Sequence, residues 1–183
     1  MHMRQIGNNS SVLVMLTLLW GVAAQAQARQ HLLPPSPAER AALEKKLDPA
    51  LMPAGARHRN IDPKQVFKLV GPLGTEVTVA PVDFMLLNPH TADFRHSCGI
   101  YVVPSQRAPY FLDATPDDDD LWYQCWQVLS VRLVRNEGNP ADIVFVGDTS
   151  LNTHDWRQDY VLHKGKDGIY KLSVDYKDAP QEQ

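Results

Sequence analysis

Three clusters of reactive side chains stand out in this chain. The first is His90, Asp93, His96 and Cys98, close together in one stretch. Imidazole, carboxylate and thiolate are all zinc ligands, but the spacing matches no closed zinc motif, and a polar loop leading into a disulfide is the expectation. The second is the run Asp117, Asp118, Asp119 and Asp120. Adjacent carboxylates repel one another and need water or cations around them. Calcium loops place their ligands at alternate positions and insert a glycine, and this run does neither. A solvated turn is the plain reading. It is also the chain's first candidate contact for a basic partner, because Tyr110, Phe111, Trp122, Tyr123 and Trp126 flank it, and aromatic anchors beside charge suit a protein-binding edge. The alternative is that these rings are core.

The third cluster is His154, Asp155, Trp156, Arg157 and Asp159. A His–Asp pair could transfer protons. Neighbours on an extended chain point to opposite faces, so His154 and Asp155 need not cooperate. His154, Asp155 and Trp156 are kept as a second candidate contact surface. There is no Gly-x-Ser-x-Gly elbow, no His-Glu-x-x-His and no phosphate-cradling glycine loop. No catalytic residue, metal ligand or cofactor is assigned from the sequence.

The N-terminus says where the chain goes. Arg4 precedes the apolar run Val12–Ala24, and small residues follow as Ala24-Gln25-Ala26-Gln27-Ala28. This order is that of a secretory signal over residues 1–28, cleaved after Ala28 or after Ala26. The run is short of the ~20 apolar residues that a membrane span wants, so no anchor is expected after cleavage. The expected location is the periplasm or the exterior. In that oxidising setting Cys98 and Cys125, the two cysteines of the chain, are expected to pair. A redox role would want a closer Cys-x-x-Cys. The formal net charge is −3, and the cleaved segment carries off one positive residue, Arg4. An acidic balance without a concentrated basic surface argues against a nucleic-acid partner.

The elements that must hold these residues begin after an extended segment, 29–35, expected to be flexible. Ser36, Pro37 and Glu39 make a capping box and first turn, and Leu43, Leu47 and Leu51 form a stripe, so a helix starts here. Asp48-Pro49 breaks or restarts it. Asp62-Pro63-Lys64-Gln65 signals a second short helix ending at Gly71, with a strand over Val66–Val70 as the competing reading. Strand patterns follow at Glu76–Ala80, Val82–Leu87, Gly99–Val103, Tyr110–Asp113, Trp122–Val134, Ile143–Val146, Tyr160–Lys164 and Ile169–Tyr176. The last two flank Gly165-Lys166-Asp167-Gly168, a hairpin signal. The expected fold is α+β, mainly β: an antiparallel meander sheet of six to seven strands with one or two short N-terminal helices packed on it. It forms one domain over 36–177, with a disordered tail over 178–183.

These features fit an exported, disulfide-bonded protein that binds another protein as an inhibitor, immunity factor or adaptor. The alternatives are an envelope-acting hydrolase whose scattered His and Asp residues only the fold could assemble, and an envelope assembly or structural protein.

Overall fold

The computed structural model describes residues 30–87, 93–114, 123–135, 140–151 and 154–174. The signal segment 1–28, the tail 178–183, His90, the acidic run Asp117–Asp120 and Trp122 lie outside these residues. The class is α+β, mainly β, and every strand pairing is antiparallel.

The strands of the first sheet are β1 (His31–Leu33), β2 (Arg57–Asn60), β3 (Phe67–Gly71), β4 (Gly74–Leu87), β5 (Phe94–Pro104) and β6 (Tyr110–Asp113). Its order is β1-β3-β4-β5-β6, with β2 also paired to β4. The second sheet holds β7 (Tyr123–Val134), β8 (Asp142–Leu151), β9 (His154–Lys164) and β10 (Tyr170–Val174), in the order β10-β9-β8-β7. The strands therefore outnumber the six or seven expected and divide between two sheets. The additions are short. The four residues of β2 are all exposed, so no apolar alternation marks them in the sequence.

Two expectations at the N-terminus change. The segment before the helix is extended but not free: His31–Leu33 pairs with Val70, Leu69 and Lys68 of β3. Leu32 packs on the core there, and Gln30 donates from Nε2 to Glu76 and accepts from the Ala141 N–H. The second helix shrinks to a 3-10 turn at Pro63–Gln65, and Phe67–Gly71 is a strand. The Asp62 carboxylate caps that turn at the Lys64 N–H, but nothing propagates it. The β-branched and aromatic residues that follow gain more from a place between β1 and β4.

The helix α1 (Pro37–Glu44) starts as its capping box dictates. The Ser36 N–H donates to Glu39 Oε2 at 2.7 Å, and the Glu39 N–H donates to Ser36 Oγ. Leu43 and Leu47 are buried, whereas Leu51 is exposed, because the chain restarts at Asp48 as a 3-10 turn over Pro49–Leu51.

The first sheet is covered on both faces. On one, Leu43, Leu47 and Val66 pack against Ala80, Val82, Phe84, Tyr101 and Val103. On the other, Leu69, Val77, Val79, Ile100 and Val102 face Ile143, Phe145, Tyr160 and Leu162 of the second sheet. Double coverage explains the nearly continuous burial of the middle of β4 and β5. Side chains such as Phe145 and Tyr160, about 1% exposed, supply the driving force, roughly 1.5–3 kcal/mol for each large apolar group removed from water. Pro81 sits in β4 between the residues paired by β3 and those paired by β2, so its missing N–H costs no ladder bond on that edge. The far face of the second sheet carries no covering layer among the described elements.

Candidate functional site

The Cys98–Cys125 disulfide ties β5 to β7 across the two sheets, with the Cα atoms 5.4 Å apart. It marks one end of the sandwich. Leu87 closes β4 and Phe94 opens β5 here, Ala114 follows β6, and Tyr123, Leu151 and His154 begin or end their strands here.

Trp126 is the feature of this end. Cys125 pairs with Thr149 and Gln127 with Asp148, so Trp126 is the extra residue of a β-bulge. A bulge turns its side chain out of the regular alternation. The indole is 43% exposed, yet it is fixed. Its Nε1 donates to Ser150 Oγ at 2.9 Å, and its ring lies on the His96 imidazole with centroids 4.2 Å apart and planes tilted by 34°. Phe94 lies two residues before His96 on the same side of β5, 39% exposed, and the Arg57 guanidinium sits 5.2 Å from its ring centroid. Leu87, directly opposite Phe94, is exposed as well. A half-exposed aromatic and apolar surface therefore surrounds a rigid, disulfide-tied corner.

The residues singled out in the sequence fall differently around this corner. Cys98 and Cys125 are joined. His96 stacks on Trp126 instead of joining Asp93 and Cys98 in a ligand set. Among the described residues no three His, Cys, Asp or Glu side chains converge on a cation site. Asp117–Asp120 and Trp122 belong to the stretch linking Ala114 to Tyr123, outside the described residues. His154 and Asp155 are exposed and successive on β9, so they point to opposite faces. Trp156 faces the core, with Nε1 donating to Gln158 Oε1 at 3.2 Å. Of the flanking aromatics, Phe111 makes edge contacts with Phe84 and Tyr101, and Tyr110 packs on the main core. Among those whose side chains are described, Trp126 is the exposed one, while Tyr110 and Phe111 are partly buried.

A constellation absent from the sequence reading lies on the outer face of the second sheet. His163 Nδ1 is 2.8 Å from Asp142 Oδ1, and His163 Nε2 is 2.9 Å from Ser173 Oγ. The residues come from β8, β9 and β10. Ile143 pairs with Leu162, which sets Asp142 beside His163, and Ser173 pairs with Val161, which sets it diagonally to His163. The Gly165–Gly168 hairpin could have suggested the His163–Ser173 neighbourhood. Nothing local in the sequence gives the β8–β9 register that adds Asp142.

The opposite end of the sandwich holds a cleft of about 780 Å³ lined by Leu73, Glu76, Arg107, Lys164 and Tyr170, among others. Lys164 Nζ donates to Glu76 Oε2 at 2.8 Å, joining the two sheets. Burial raises the Glu76 carboxyl, but the Lys164 and Gln30 hydrogen bonds and the Lys164 charge outweigh it and hold it below the usual value. The Tyr110 hydroxyl accepts from the Tyr170 N–H at 2.8 Å. Burial, then the nearby Glu76 charge, push the Tyr170 phenol well above its usual value, so it stays protonated.

No protein-family model, curated protein or solved structure matches this chain.

Proposed function

We propose that the protein is exported and binds another protein through the disulfide end, as an inhibitor, immunity factor or adaptor. The observation that carries this reading is Trp126: a large aromatic side chain left half in solvent, yet held by a hydrogen bond, a stacked imidazole and a disulfide at the preceding residue. Trp dominates the energetics of protein interfaces when it enters a desolvated pocket, and an anchor already fixed loses little entropy on binding. Phe94 and Leu87 extend the apolar contact. Asp155 and the run Asp117–Asp120 supply acidic charge from β9 and from the stretch between Ala114 and Tyr123. The partner this suits has an apolar pocket with a basic rim.

Export rests on the order of the N-terminal segments. The disulfide is compatible with it, and no helix among the described residues is long and apolar enough to cross a membrane. Mass spectrometry of the exported protein should find an N-terminus at Arg29, or at Gln27 for the earlier site. A full-length cytoplasmic product would contradict export. Binding is tested by comparing capture of the same partner by wild type, Trp126→Ala and a variant with Asp117–Asp120 changed to Asn. The Trp126 variant should dissociate faster. The Asn variant should associate more slowly at low salt and resemble wild type at high salt, where surface charge is screened. Equal capture by all three would overturn the reading.

A further inference from the structure

We infer that Ser173 is a nucleophile activated by His163 and positioned by Asp142, and that it reacts with short acyl esters. The site is on a different face from the disulfide end and does not depend on the binding reading. The His163 side chain is 49% exposed and that of Asp142 11%, so the carboxylate is the sheltered member and the imidazole reaches solvent. Ser173 is exposed. With the Nδ1–H donating a hydrogen bond to the Asp142 carboxylate, His163 Nε2 carries a lone pair toward the Ser173 hydroxyl. That is the order of groups that raises serine nucleophilicity: hydroxyl, imidazole, then an acceptor that fixes the tautomer. The Val161 carbonyl, 3.4 Å from Ser173 Oγ, is a second and longer acceptor.

The strand carrying Ser173 contributes more than the hydroxyl. β10 is the edge strand of its sheet. The Tyr170 N–H is spent on Tyr110 and so points away from β9. By the alternation of an antiparallel strand, the N–H groups of Leu172 and Val174 point the same way. They lie on the edge that no described strand pairs, about 6.8 Å apart along the strand, so at most one of them serves an oxyanion formed at the serine. None of the described clefts includes Asp142, His163 or Ser173. With His163 and Ser173 exposed, the site suits a small acyl group presented on the surface of a larger molecule.

The step balances without a cofactor. Ser173 Oγ bonds to the acyl carbon as its proton passes to His163 Nε2, and the carbonyl electron pair moves to oxygen. Collapse breaks the ester C–O bond, and the departing alcohol takes the proton from His163. Water, deprotonated by the same imidazole, attacks the acyl-serine, releases the carboxylic acid and restores the hydroxyl.

The test is an alkyl fluorophosphonate applied to the exported protein, followed by peptide mapping. The adduct should sit on Leu172–Lys177, in which Ser173 is the single serine. It should be absent from Ser173→Ala. General-base assistance contributes about 10²–10⁴-fold, so labelling of His163→Gln should slow by that order. Among the described residues, the groups facing His163 are Asp142 on β8, and Lys171 and Ser173 on β10. In Asp142→Asn, which preserves shape, labelling should slow while the unfolding midpoint stays in place, a split that a purely structural carboxylate would not produce. No adduct on a folded wild-type protein would overturn the inference. So would equal labelling of wild type and His163→Gln.

Discussion

The Trp126 indole rests on His96 with ring centroids 4.2 Å apart while its N–H is held by Ser150 Oγ. Three strands, β5, β7 and β8, thus fix one half-exposed side chain. Packing of that kind contributes on the order of 1 kcal/mol for an aromatic pair and a similar amount for the hydrogen bond. Trp126→Ala should therefore lower stability by about 1–2 kcal/mol in urea unfolding, while weakening partner affinity by 2 kcal/mol or more, roughly 30-fold, as interfacial Trp residues do. Trp126→Phe should recover much of the stacking and none of the hydrogen bond. A variant that unfolds without a selective loss of binding would make Trp126 a core residue with an exposed edge.

The disulfide should be worth its loop. Its partners are 27 residues apart, and loop-closure entropy for that span gives about 3–4 kcal/mol. Cys125→Ser, compared with wild type under oxidising conditions, should lose that much, and wild type with reductant should approach the variant. Identical melting of oxidised and reduced wild type would remove the disulfide from the account of stability.

Acid should weaken the N-terminal helix. The hydrogen bond from Lys68, then those from Ser36, and the Lys68 charge pull the Glu39 carboxyl from 4.5 to about 2. A carboxyl lowered in the folded state adds stability that is complete above its unfolded value. It is lost as pH falls through the folded one. The stability gap between wild type and Glu39→Gln should be constant above about pH 5. It should narrow as pH falls from 4.5 toward 2, and shrink in high salt because the pair is exposed. A gap independent of pH would mean that Glu39 acts only through shape.

Much of this was legible where the cause is local. The capping box at Ser36 and Glu39, the Gly165–Gly168 turn and the cysteine pair each announce themselves within a few residues or by chemistry alone. Gly168 adopts φ 76°, the left-handed backbone that a hairpin turn asks of glycine. The strand over Phe67–Gly71 was ambiguous because its apolar residues fit both periods, and the neighbours β1 and β4 decided it. The split into two sheets depends on long-range pairing. The same is true of the Asp142–His163–Ser173 contact, which needs two strand registers at once. Trp126 could be seen as one of several aromatics, but its exposure comes from a bulge that no local pattern encodes.

Gly99 tests how closely β5 and β6 approach. A Cβ there would strike the tip of the Phe111 ring and lie 2.9 Å from the Leu112 carbonyl oxygen. The ring has Phe84 and Tyr101 against it, and the carbonyl belongs to β6, so neither yields freely. Gly99→Ala should cost about 1–3 kcal/mol, the usual penalty of overpacking. No change in the unfolding midpoint would show that β6 can shift away from β5.

The most direct test of the binding account is photo-crosslinking from defined positions on the exported protein. A benzophenone side chain at Phe94, beside Trp126, should give one discrete protein adduct that disappears when Trp126→Ala is added. The same group at Ile169, exposed at the opposite end of the sandwich, should give none. Equal adducts from both positions, or a Phe94 adduct indifferent to Trp126, would contradict the assignment of the disulfide end as the binding surface.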